Sequence, residues 1–124
     1  MSARRAAGLL AAGRVALGSA VLLAPESVTS RWLGGHASHP AVRYLARSLG
    51  ARDVALGALA LCTLEDARVS AQVQAACALA DATDALATVA ARSELPAAGA
   101  IGTITVAGAA ALAGVYLSRE LARG

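Results

Sequence analysis

The chain has 124 residues, 57% of them hydrophobic and 15% charged, with a mean hydropathy of +0.60. A chain this apolar and weakly charged does not stay solvated as a disordered coil, and its length allows a single domain, residues 1–124. The formal charge of +3 rests on eleven scattered arginines without a single lysine, which argues against a nucleic-acid partner. Trp32, Tyr44 and Tyr116 are the only aromatic residues, and 35 alanines cannot fill a conventional soluble core around them. The composition therefore points to a small integral membrane protein whose partner is the lipid bilayer.

Four segments have spanning length, a span needing about 20 residues to cross roughly 30 Å of hydrocarbon. The first, residues 6–24, follows Arg4 and Arg5 and stops at Pro25. It lacks a good cleavage context at Ala24-Pro25-Glu26 and is interrupted by Gly13-Arg14, so it reads as a retained span rather than a removed leader. A long connection follows, residues 25–40, in which Trp32 beside Arg31 reads as an interfacial anchor. The second span covers 41–64, the third 69–91 and the fourth 97–117, with all three prolines at segment edges. Helix is the only element that satisfies an isolated segment's backbone in lipid. Short links make the second and third spans antiparallel neighbours, and likewise the third and fourth. The predicted fold is all-α, an antiparallel four-helix transmembrane bundle. Arg4, Arg5, Arg68, Arg119 and Arg123 on one side, against Arg31, Arg92 and Arg43 on the other, favour a cytoplasmic location for both termini, with the bundle expected in the inner (plasma) membrane. Glycines at 8, 13 and 18 in the first span, and at 99, 102, 108 and 114 in the fourth, read as sites of close helix packing.

The informative residues are ionisable ones inside the spans: Arg14 in the first, Arg47, Arg52 and Asp53 in the second, and Asp81 and Asp84 in the third. Unpaired, the six would cost roughly 15–20 kcal/mol on insertion scales. In the third span Gln74, Cys77, Asp81, Asp84 and Thr88 recur at intervals of three, four, three and four, a single polar seam of the kind that faces neighbouring helices. In the second, Gly50, Asp53 and Gly57 share one face, and Arg43 and Arg47 stack on another. The expectation is a neutral lattice in which Arg14, Arg47 and Arg52 meet Asp81 and Asp84, with Asp53 joining. Arginine suits that task because its guanidinium is always charged and binds carboxylates through paired hydrogen bonds. On a count of three against three, Asp81→Asn would disrupt insertion or folding.

The stretch Arg47 to Leu61, RSLGARDVALGALAL, resembles a family of small bacterial four-helix membrane proteins known only as a domain of unknown function. The resemblance rests on Gly50, Arg52, Asp53, Leu56 and Gly57, followed by the pair Asp81 and Asp84, and covers the second to fourth spans. It implies a four-helix membrane fold and carries no activity, substrate or site.

Other chemistry finds little support. Cys62 and Cys77 sit in apolar stretches and read as small hydrophobes rather than as a disulfide. His36 and His39 lack the further ligands a zinc site needs, so no metal site and no cofactor are expected. The aspartates depart from the metal-binding pattern of lipid head-group transferases, since Asp84 is followed by Ala85 and the arginine–aspartate element lies on a separate helix. No nucleophile–base set or phosphate loop is present, so no catalytic residue is assigned and a non-enzymatic role is favoured. The polar centre then serves as structural glue that can bind a small ligand. The rival readings are a small transporter or proton-coupled element using Asp81 or Asp84 and, more weakly, a metal-dependent membrane enzyme. A homo-oligomer or a partner membrane subunit is the expected protein contact.

Overall fold

The computed structural model describes all 124 residues, and the chain is all-helical. Five α-helices follow in order: α1 (Ala3–Leu23), α2 (Pro25–Leu33), α3 (Pro40–Cys62), α4 (Ala67–Ala90) and α5 (Ala97–Arg123). Helices α1 and α5 are long and apolar enough to cross a membrane, by length and composition; α3 and α4 are long but less apolar.

Each helix starts where local chemistry permits. Ser2 Oγ accepts from Arg5 N ahead of α1, and Asp66 Oδ1 accepts from Val69 N at 3.0 Å ahead of α4. Both satisfy amides that have no partner within the helix. Pro25 and Pro40 occupy first-turn positions, where their missing N–H is not needed. Asp66→Ala removes the α4 cap and is expected to lower stability by about 1 kcal/mol. Accelerated amide exchange confined to the first turn of α4 is the measurement that checks it.

The connection between the first two long helices is not the plain loop the sequence led us to expect. Residues 25–33 form α2, with Glu26 in its first turn and Arg31 in its last, a charge order that favours a helix dipole. Gly34 ends it at φ 58°, ψ −135°, a conformation that only glycine adopts readily. A 3₁₀ turn, Gly34–Ser38, then leads to His39, whose Nδ1 accepts from Ala41 N and caps α3. Trp32 lies on α2, half-buried, and its carbonyl sits where a Cβ on Gly99 would have to go, which docks α2 against the start of α5.

The long helices pack as two intimate pairs, α1 with α3 and α4 with α5. Helix α1 also touches α5, and α3 touches α4 only sparsely despite the short turn between them, so α1 and α4 face one another across a diagonal. The contact of Gly18 with Gly50 and of Ala11 with Gly57 makes α1 and α3 antiparallel. Ala7 packs with Ala71, Leu117 and Leu121, and Arg4 pairs with Glu65, so both termini share one end with the α3–α4 turn.

What lies inside is small or polar. The buried hydrophobic residues are mainly alanines, accompanied by Ser70, Gln74 and Asp81. What lies outside is large and apolar, with Leu23, Leu79 and Leu112 at 81%, 70% and 75% exposure. The glycines divide sharply. Gly18, Gly50, Gly57, Gly99 and Gly114 stand against neighbouring elements with no room for a methyl group, whereas Gly13, Gly102 and Gly108 have nothing near their missing side chain. For these last three, close helix packing is not the explanation.

Candidate functional site

Midway along the helices, two arginines and three aspartates form one connected chain of charges. Arg14 lies about 16 Å from the start of α1 and about 14 Å from its end at 1.5 Å per residue. From there its Nη1 donates to Asp53 Oδ1 on α3 at 3.1 Å, and its Nη2 donates to Asp81 Oδ2 on α4 across the diagonal. Arg52 on α3 donates from Nη1 to Asp84 Oδ1 at 3.1 Å and from Nη2 to Asp84 Oδ2 at 2.6 Å, a two-pronged grip on a carboxylate. Its Nη2 also reaches Asp53 Oδ1 at 3.2 Å, so the order along the chain is Asp81, Arg14, Asp53, Arg52, Asp84.

The backbone explains why these side chains can meet. Gly50 and Gly57 flank Asp53 by three and four residues and let α3 press directly on α1, which brings Asp53 to the level of Arg14. On α4, the three-residue spacing of Asp81 and Asp84 puts both on the inward face. The rest of that seam divides in the same way: Gln74, Cys77 and Asp81 are buried, Asp84 and Thr88 half-buried, and Ala76, Leu79, Leu86 and Ala87 exposed. Thr88 Oγ1 donates to the Asp84 carbonyl and stays out of the ion-pair chain.

The two ends of the network differ. At the Arg14–Asp81 end the side chains are 8% and 10% exposed, and at the Arg52–Asp84 end 34% and 29%. The open end lies where α3 and α4 are only sparsely in contact, bridged there by the long arginine side chain. Arg52 Nε is nevertheless buried without a partner.

Arg47 does not belong to this group. It is exposed and makes no ion pair, because its face of α3 is the one shared with Arg43, turned away from α1 and α4. Arg43 instead lies 3.7 Å from Glu26 on α2. The expected balance of three against three is thereby corrected to two guanidinium groups facing three carboxylates. A buried residue that the seam missed is Ser70, fully enclosed with its Oγ unpartnered. It sits four residues before Gln74, so carrying the same three-four spacing one turn earlier would have found it.

No three His, Cys, Asp or Glu side chains converge to hold a metal ion, since the carboxylates are turned to guanidinium groups instead. His36 and His39 are both exposed, and the latter is engaged as a helix cap. Both cysteines are free, Cys77 buried beside Ala11, Ala60 and Val73, and Cys62 on the surface. An apolar groove of about 670 Å³ runs between α4 and α5, lined by Leu79, Leu86, Leu112 and Val115 among others, and includes no member of the ion-pair chain. Comparison with protein-family models, with curated proteins and with solved structures finds no match to this chain.

Proposed function

We propose that the chain is a small multi-pass protein of a bacterial plasma membrane, an antiparallel four-helix transmembrane bundle with cytoplasmic termini. Its central Arg–Asp network fixes how the helices meet and can take a small ligand at the Arg52–Asp84 edge. The observation that carries this reading is the inverted distribution of side chains: alanine and polar groups inside, leucine, valine and isoleucine outside. A water-soluble domain of this size would hide those large side chains, whereas hydrocarbon solvates them at no cost and makes close packing of small residues the source of helix association.

Helices α3 and α4 are less apolar than α1 and α5 in part because they carry the network. With those charges turned inward, the remaining faces present Leu45, Leu49, Leu59 and Leu61 on α3, and Val69, Leu79, Leu86 and Val89 on α4. The likeness of the Gly50–Gly57 element to small bacterial four-helix membrane proteins belongs to the same proposal. Lipid, a second copy or a partner membrane subunit would cover the groove between α4 and α5.

The test is fractionation. The expressed chain is expected to stay in the membrane pellet through an alkaline carbonate wash and to be monodisperse only in detergent. Release into the wash, with a monodisperse peak in plain buffer, would end the reading. A second reading, a small transporter or proton-coupled element, draws on the partly open Arg52–Asp84 end, which is where a polar ligand could reach the network. Flux across reconstituted vesicles that depends on pH and disappears in Asp84→Asn is its expected signature.

A further inference from the structure

We propose that the ion-pair network contains a proton-binding site, and that Asp81 carries its proton as a neutral carboxylic acid at neutral pH. The inference rests on the membrane reading above and begins from counting. Three carboxylates share two guanidinium groups, and no other cationic side chain reaches them, since Arg47 is turned away. An uncompensated charge in the middle of a bilayer-spanning bundle is among the most expensive features a protein can hold, and a carboxylate there takes up a proton instead.

The hydrogen bonds choose which carboxylate. Asp84 receives two N–H groups from Arg52, and Asp53 receives one from each arginine. Asp81 receives a single one, from an Arg14 whose charge is already shared with Asp53. Asp81 is also the most buried of the three, with 10% of its side chain exposed against 17% for Asp53 and 29% for Asp84. The charged and titratable groups around it are Arg14 from α1, Arg52 and Asp53 from α3, and Cys77 and Asp84 from its own helix. Helix α5 adds none: its titratable residues, Tyr116, Arg119, Glu120 and Arg123, all lie beyond Gly114, the residue that packs on Ala78 of α4. With the proton in place the network holds two positive and two negative charges, and the sequence-based expectation for Asp81→Asn reverses. Asparagine resembles the neutral acid and should be accepted.

The experiment uses the full chain in detergent micelles, after fractionation has shown whether it is a membrane protein, so that the two proposals fail separately. Infrared spectra of the wild type at neutral pH are expected to contain a carboxylic-acid C=O band that shifts in heavy water and is missing from Asp81→Asn. Thermal melts are expected to leave Asp81→Asn at or above the wild-type midpoint. Asp84→Asn and Asp53→Asn, which strip ionised partners from Arg52 and Arg14, are expected to fall by roughly 10 °C. A wild type without the acid band overturns the proposal, as does Asp81→Asn melting as low as Asp84→Asn. A stability that rises with sodium in the absence of the band would put a metal cation where we place the proton, and equally overturns it.

Discussion

Arg14→Ala is expected to remove most of the folded-state stability, and Arg47→Ala almost none. The two residues are alike in type and both lie within predicted spans, but only one lies at the meeting point of three helices. Arg14 donates to Asp53 and to Asp81, tying α1 at once to its close partner α3 and to α4 across the diagonal. Its loss leaves Asp53 to Arg52 alone and Asp81 without a hydrogen-bond partner. Breaking one buried pair by removing one partner costs about 3–5 kcal/mol, and here the same truncation also unties α4 by removing the hydrogen bond to Asp81. A typical domain holds only about 5–15 kcal/mol in total. Arg14→Lys is expected to fall between the two, because an ammonium keeps the charge but lacks the planar fork that serves two acceptors in fixed directions. Unfolding of the three variants in the same micelle, followed by circular dichroism, gives the order. If Arg14→Ala melts with Arg47→Ala, the network does not hold the bundle.

The difference between Arg14 and Arg47 also marks how far the sequence could be read. Helical segments, their edges at Pro25, Pro40 and Pro96, and the inward seam of α4 all follow from spacing and from backbone chemistry, and each can be read in one dimension. The rotation of α3 about its own axis is different. Arg47 and Asp53 are six residues apart, so they lie on different faces, and the choice of face depends on which neighbour α3 packs against. The short turn suggested α4 as that neighbour, yet the intimate partner is α1. That preference arises from the glycines of α1 and α3 meeting backbone to backbone, a pairing no single segment reveals. The same limit applied to the connection before α3. Helix α2 is too short for its apolar pattern to stand out, and it is held by its dock on Gly99, a residue more than sixty positions away.

Adding one methyl group at Gly50 is expected to disrupt the molecule nearly as much as losing Arg14, while the same change at Gly13 is expected to do no harm. A Cβ on Gly50 would stand 2.6 Å from the Gly18 carbonyl oxygen and 2.8 Å from the Leu22 nitrogen. The obstacle is the backbone of another helix, so no rotamer change relieves it. The reciprocal contact is as close, since a Cβ on Gly18 would stand 2.7 Å from the Gly50 carbonyl oxygen. Helices α1 and α3 must therefore move apart in Gly50→Ala or Gly18→Ala, and overpacking of this kind costs about 1–3 kcal/mol or more even where side chains can adjust. Separation has a second consequence, because Asp53 reaches Arg14 only through that contact and lies a single turn beyond Gly50. Stretching a 3.1 Å part-buried ion pair, which water and salt screen little, weakens the network as well as the packing. At Gly13, Gly102 and Gly108 nothing opposes a methyl group, and replacing a mid-helix glycine with alanine there is expected to raise stability by about 0.5–1 kcal/mol through lost chain freedom in the unfolded state. Melting midpoints of the five single alanine variants should therefore split into two groups on either side of the wild type, and a uniform response would mean that α1 and α3 do not touch as they do here.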